Sequence, residues 1–549
     1  MRLNNRIAFS REKFIFFIVA SLLFGCASMQ KPQGGPRDRT PPKLVKATPA
    51  NMTRHFAEKQ IHLEFDEYFT LKNQAQEITM SPTMEKTPTF KVSKKSLIVE
   101  FKDTLQKNTT YVINFGKSVA DVNEGNVLPN FTYVLSTGSH IDSLSITGTV
   151  QNLMTDEKEQ KDVTVMLLPT QKDTLWGKKK PTIFTSVDSS GNFSLNNLHE
   201  GDYRIYALKE TAPNRIFDND NELVAFLKNP IHLRKDTSNI HLYLFKQEPT
   251  KFRMIDHRFD VDGKMFFTFN KSIENPSVKI LTPSSLNSQK IVEFNKTRDT
   301  IKIYMKNMDF DSLRVSFLQN NKPIDTVTIR KGRKEVFDRK ITVTYNTTGD
   351  NKLKPATPLV ATSNLPIQSI DNSLVTLNED SSAVSNYTIS KDTATMKRLT
   401  INYKWKANSR YQLIFNEDAL TDIYGDKNKK LLEQFQLDRP DNYGQLTLRV
   451  TVPDTSKAYI VELLNNNDKA VLNKHSLTKS TLLVYKDYPI GKYNIRVIYD
   501  DNKNGKWDSG NVKERRQPES IWQYSKDVTI RSNWEAEEPI DIPKELVIN

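Results

Sequence analysis

One stretch of this chain is written twice, and the repeat limits the fold more than any other feature. KSLIVEFKDTLQKNTTYVINFGKSVADVNEG at 95–125 recurs as KRLTINYKWKANSRYQLIFNEDALTDIYG at 397–425. Leu97, Val99 and Phe101 fall on Leu399, Ile401 and Tyr403, while Asn108, Tyr111, Ile113 and Phe115 fall on Asn408, Tyr411, Leu413 and Phe415. Asp121 falls on Asp422. A second repeat follows in the same order: EGDYRIYAL at 200–208 returns as IGKYNIRVI at 490–498, with Phe217-Asp218 on Trp507-Asp508. A pair of modules therefore occurs twice, at 43–138 and 142–247 and again at 340–438 and 442–543. Between the pairs, GKMFFTFNKSIENPSVKIL is distantly similar to LEFDEYFTLKNQAQEITM of the first module. Residues 250–336 are therefore read as a diverged version of that module.

The pattern inside each module is period two. KQIHLEFDEYF (59–69), TYVINFG (110–116) and DTIKIYMK (299–306) alternate apolar and polar residues between Asn, Asp and Gly turns. Alternation places every second side chain on one face, as a half-buried strand requires. No long segment has a convincing helical period. The expected fold class is all-β: about five β-sandwich modules in a row. The 549 residues hold 37% hydrophobic and 9% aromatic residues, enough for several small cores.

The N-terminus carries a different message. Arg2, Arg6, Arg11 and Lys13 precede the apolar run FIFFIVASLLF (14–24), and then come Gly25 and Cys26. A basic start, a short apolar core and a small residue make a secretory signal over 1–25, and eleven apolar residues are too few to span a bilayer. Cys26 is the only cysteine in the chain. Leu23-Phe24-Gly25-Cys26 resembles the lipobox of bacterial lipoproteins, in which the cysteine is lipidated and becomes the new N-terminus; Phe24 is bulkier than the usual residue there. Residue 27 is Ala rather than the Asp that such systems commonly read as inner-membrane retention, so the expected location is the outer membrane. Residues 26–42, rich in Pro, Gly and polar residues, read as a flexible tether to the lipid.

Residues 40–138 are similar to the SbsA-type bacterial Ig-like domain through TPPKLVKATPAN, IHLEFDEY, KNTTYVINFG and FTYVLSTG. Residues 142–247 resemble the carboxypeptidase regulatory-like (transthyretin-like) sandwich through LSITGTV, DSSGNFSLNNLHEGDYRIYAL and FDNDNE. The resemblance implies Ig-like modules at 43–138, 250–336 and 340–438, and transthyretin-like modules at 142–247 and 442–543. The combination resembles Ig-like domain lipoproteins of Gram-negative bacteria. In them such domains serve as surface or scaffold modules, and no catalytic role follows.

The best small-site signal is Asp500-Asp501-Asn502-Lys503-Asn504-Gly505-Lys506-Trp507-Asp508. Asp500, Asn502, Asn504 and Gly505 fit the opening of a calcium loop, with oxygens at alternate positions, a glycine at the sharp turn and Asp508 ninth. The twelfth position is Asn511, not the bidentate Glu of an EF-hand. Two readings stand: a structural Ca²⁺ in the last module, or an Asx-rich turn closed on its own backbone. The first copy keeps Glu210, Asn214 and Asp218 but has Ala212 and Arg215 in place of the third ligand and the Gly, so no metal is expected there. No cofactor is required by any other motif.

Trp522 and Trp534, with Trp507 and Tyr524 close in sequence, either stack on sugar rings or fill the core of the last sandwich. The eight His are scattered, and there is no nucleophile elbow, second Cys or phosphate-binding loop, so no enzyme is expected. The formal charge of +14 favours anionic partners such as acidic glycans. Export and the absence of a basic helix argue against nucleic acid. Asp-Ser/Thr-apolar triplets at 103–105, 142–144, 173–175, 299–301, 311–313, 325–327 and 392–394 resemble an O-glycosylation acceptor motif, or are simply strand starts.

The leading expectation is a non-enzymatic envelope lipoprotein, anchored to a membrane and acting as a multi-module spacer or protein-interaction scaffold. The alternative is a glycan- or anionic-polymer-binding surface lipoprotein using Trp522 and Trp534. A weaker one is an accessory to an envelope enzyme.

Overall fold

The structure is a computed structural model, and it describes residues 38–544 except 85, 156–159, 211–213, 333–335 and 533. The signal segment, Cys26 and most of the tether lie outside the described residues. The described chain is built of short strands and turns, and its one α-helix is the four-residue Gln74–Glu77. No described helix is long and apolar enough to cross a membrane. The tandem all-β sandwich reading holds.

Contacts divide the chain between Ile141 and Asp142 into two compact units. In the first, a four-stranded sheet runs in the order Leu44–Thr48, Gln60–Phe65, Ser96–Glu100, Thr89–Ser93. A three-stranded sheet, Thr79–Ser81, Thr110–Asn114, Thr132–Ser136, closes the sandwich. The alternating residues Ile61, Leu63, Leu97, Val99, Tyr111 and Ile113 are buried in one core between the sheets. The Tyr111 hydroxyl accepts the Gln106 amide at 2.8 Å, tying a loop to the strand beside it. This is the tyrosine corner of Ig-like sandwiches. Asp121, 2% exposed, accepts the amides of Glu124, Gly125 and Asn126 and so closes its loop.

The second unit holds the rest. Its fourth module repeats the first in detail: Tyr411 accepts the Lys406 amide at 2.6 Å, and Asp422, 1% exposed, accepts those of Tyr424 and Asp426. The residues matched by sequence (Leu399, Ile401, Tyr411, Leu413, Phe415) line its core. Residues 254–330 form two sheets around a core of their own, centred on Phe267, Phe317, Ile301 and Ile303. In the second module, Val163–Pro169 and Gly201–Lys209 pair as central strands; in the fifth, Ala458–Asn465 and Gly491–Asp500 do the same.

These modules do not stand in a simple file. The second and fifth are packed together through Leu153, Leu168, Tyr206, Val224, Phe226 and Phe245 on one side and Ile460, Ile498, Val512 and Ile521 on the other. The cause is visible in their central strands. VTVMLLP (163–169) and AYIVELLN (458–465) are buried at almost every position, not at alternate ones. A strand buried on both faces needs a cover on each. One face packs inside its own sandwich; on the other, Leu168 and Ile460 enter the contact between the copies, while Met166 packs on Phe184 and Leu208 of its own module. The fifth module is thus fastened to the second.

Candidate functional site

The calcium-like loop and the contact between the two copies belong to one segment, the long connection from Gly491–Asp500 to Ile521–Gln523. Asp500 ends a strand buried along most of its length and is 1% exposed. Its carboxylate accepts the Asn504 amide at 3.0 Å and the Gly505 amide at 2.8 Å. Gly505 has φ +74°, the left-handed region that favours glycine. The side-chain amides of Asn502 and Asn504 both donate to Asp508 Oδ2. The four residues read from sequence are therefore brought together, with Asn502, Asn504 and Asp508 converging on one point.

Sequence reasoning missed a fifth member. Glu519, 7% exposed, accepts the amides of Asp501 and Asp508, each at 2.9 Å, and its side chain ties the loop's two ends together. Burial, then the nearby Asp508 and Asp500 charges, push its carboxyl up to about 7. It lies beyond a segment absent from the first copy, so the repeat gave no register in which to find it. Among the described residues, no group of three or more His, Cys, Asp or Glu side chains is arranged to hold a metal ion. The Asn502 and Asn504 side-chain oxygens accept the Asn504 and Lys506 amides at 3.0 and 2.9 Å, so a hard cation here would require both side-chain amides to turn over and present oxygen beside the carboxylates.

The remainder of the connection grips the second module. Arg515 donates to the Tyr206 hydroxyl at 2.7 Å and pairs with Asp173, to which Tyr206 also donates. Trp176 stacks on Tyr206 at 3.9 Å. Ser509 Oγ donates to the Lys246 carbonyl at 2.6 Å, Gln517 to that of Phe226 at 2.8 Å, and the Val512 amide to Gln247 Oε1 at 2.8 Å. Beside them, Arg496 and Glu462 form an ion pair with both side chains 8% exposed, and Arg496 also reaches the Met154 carbonyl at 3.1 Å. Bonds from Ser509 and Gln517 to backbone carbonyls, with those of Val512 and Arg515 to side chains, fix both position and register.

The other aromatic candidates separate. Trp522 is half-buried and packs against the core of the fifth module, edge-on to Tyr524 at 5.8 Å. Trp507 packs at the contact between the copies, its indole N–H donating to the Glu519 carbonyl at 3.0 Å. Trp534 is 60% exposed. The two tryptophans proposed from sequence to bind sugar thus sit in different environments.

Residues 38–137 match the family model of a bacterial Ig-like domain. That Ig-like domain is the first module, with its tyrosine corner. No curated protein matches the chain. Among solved structures, the chain is similar to BcpA, the major pilin subunit of Bacillus cereus, at 10% identity over 73% of this chain and 99% of that one, with a TM-score of 0.12. The S-layer protein SbsC matches at 9% identity over 88% of this chain and 66% of that one, with a TM-score of 0.15. SGBP-B of a Bacteroides ovatus mixed-linkage glucan utilization locus, solved with a heptasaccharide, matches at 9% identity over 71% and 91%, with a TM-score of 0.18. Likeness at this level carries no argument about what this chain does.

Proposed function

We propose that the chain is a non-enzymatic lipoprotein of the cell envelope, held at the outer membrane by a lipid on Cys26, whose modules form a protein-interaction scaffold. In this reading the Ig-like domain is of the SbsA type, and the second and fifth modules are transthyretin-like. The observation that carries the scaffold reading is the fastening of the fifth module to the second. A spacer gains reach by setting modules end to end, whereas this contact spends two module faces on closure. The buried ionic groups of the second unit serve the same end. Glu293, Lys397 and Tyr304 join the third module to the fourth, and Glu462 and Arg496 lie at the contact between the copies.

The anchoring is tested by Cys26→Ser. The natural chain is expected to take up labelled palmitate and float with outer membranes, and the variant to do neither. Uptake unchanged in the variant overturns the lipid assignment.

The loop at Asp500, Asn502, Asn504 and Asp508 is proposed to hold a structural Ca²⁺, supported by the gathering of these four oxygen-bearing residues in one turn, with the Asn502 and Asn504 amides turned over to present oxygen in place of the N–H groups that now face Asp508. O-glycosylation is proposed at the triplets whose hydroxyl residue is exposed: Thr104, Ser143, Thr174, Thr326 and Thr393. An intact mass equal to lipid plus bare polypeptide rejects the glycans.

A further inference from the structure

The first and fourth modules end the same strand in opposite ways. In the first, Glu100 closes Ser96–Glu100 and holds Lys102 at 2.8 Å and Lys91 at 3.4 Å, with Asp103 next in the chain. In the repeat register these positions become Asn402, Lys404 and Trp405. Both acidic residues are gone and the lysine is kept. Lys404 is exposed and makes no ion pair among the described residues, although its counterpart makes one.

At this strand end lies a cleft of about 370 Å³, lined by Trp405, Tyr403, Pro358 and Leu437 together with Asn402 and Lys404. Trp405 is held edge-to-face by Tyr403, Tyr411 and Phe435 at 5.0 to 5.2 Å, and Tyr403 is tethered through its hydroxyl to Glu379 at 2.6 Å. The aromatic wall is therefore fixed in place before any ligand arrives. Glu379, which holds Tyr403 of this wall, is also occupied by Lys406 and Ser409. What remains is an aromatic wall in a cleft of mixed polarity, beside an amide and an ammonium that makes no ion pair among the described residues.

We propose that this cleft of the fourth module binds an acidic saccharide, its ring against Trp405 and Pro358 and its carboxylate toward Lys404. Apolar C–H faces suit the aromatic wall, Asn402 meets hydroxyls, and the lysine selects for charge. The site is independent of the anchor and of the calcium loop, so its failure leaves both readings standing.

Isothermal titration of the full chain in detergent with oligogalacturonate, and with neutral cello-oligosaccharide, tests it. Binding of the uronate is expected, with the neutral sugar much weaker. Lys404→Glu and Asn402→Glu, both at exposed positions, should each weaken it about tenfold or more, the first by reversing the charge that meets the carboxylate and the second by restoring the acid of the first module beside Lys404. Lys102→Glu should leave it unchanged, and quenching of tryptophan fluorescence should vanish in Trp405→Phe. No binding of the uronate, equal binding of both sugars, or full binding by Lys404→Glu each overturns the proposal.

Discussion

Glu210 and residues 214–222 of the second module share a set of hydrogen bonds with the loop at 500–519 of the fifth, yet the two treat charge differently. Glu210 accepts the amides of Asn214 and Arg215 at 2.9 and 2.8 Å, as Asp500 accepts those of Asn504 and Gly505. Asn214 donates to Asp218 at 3.0 Å as Asn504 does to Asp508. The Asp218 amide reaches Glu222 at 3.1 Å as that of Asp508 reaches Glu519. Even the left-handed residue is kept, at φ +61° for Arg215 and +74° for Gly505. In the first copy that residue carries a guanidinium, 6% exposed and 3.8 Å from the Phe184 ring. In the second it carries no side chain. One acidic loop thus holds a built-in cation, and the other has none at that position.

The largest effect expected from breaking the comparison lies at the contact between the copies. Arg496 occupies the position of Tyr206 in the repeat, and its charge is held by Glu462 away from water. Removing one partner of a buried ion pair leaves the other uncompensated, at a cost of about 3–5 kcal/mol. Glu462→Ala should lower the urea midpoint of the second unit accordingly. A change within error would mean that the pair is solvated and that the copies part easily.

Calcium separates the two loops next. At a free concentration about a hundredfold above its dissociation constant, a bound ion stabilises by about 2.7 kcal/mol. Calcium should therefore raise the melting temperature of the natural chain, and Asp508→Asn should abolish the rise. Gly505→Arg is the sharper variant, because it gives the second loop the residue that the first already tolerates at positive φ. It should remove the calcium response while keeping the fold. A natural chain that melts at one temperature with calcium or with chelator sinks the metal reading.

A somewhat smaller effect is expected at Gly510, where an added Cβ would meet the Phe245 ring at 2.6 Å and the Arg516 carbonyl at 2.9 Å. Gly510→Val should cost about 1–3 kcal/mol by overpacking. It should also speed hydrogen exchange in 509–517, the part of the connection that the first copy lacks. Exchange unchanged there would show that this segment does not carry the grip.

How much of this could be read from the sequence depends on which face of a strand is asked about. Alternation gave the inward residues of the first and fourth modules, and the Tyr111 and Tyr411 matches turned out to be the same corner. The period that reveals one face is silent about a strand buried on both, as at 163–169 and 458–465. The unbroken apolar runs were the signal available there. Spacing found Asp500, Asn502, Asn504 and Asp508 because they are consecutive in one turn. Glu519 escaped because its partnership is made by the return of the chain. Trp405 escaped too: its interest lies in replacing Asp103, a difference between the copies rather than a match.

The finest test of the comparison is proton uptake in the first loop. Burial pushes the carboxyls of Glu210 and Glu222 up; their mutual repulsion adds at Glu210 and Asp218 adds at Glu222, while Arg215 opposes the rise at Glu210. With folded-state values above the unfolded carboxylate value of about 4.5, the folded loop binds more protons than the unfolded chain as pH rises past that point. The contribution is greatest in mild acid and falls with rising pH until both carboxyls are ionised in the folded state. Glu222→Gln removes one of these groups. The melting temperature of the natural chain minus that of the variant should therefore decrease from about pH 5 to about pH 7.5. A difference that stays constant across that window would mean that Glu222 is as ionised in the folded loop as in water, and that Arg215 together with the loop amides compensates the acidic cluster fully.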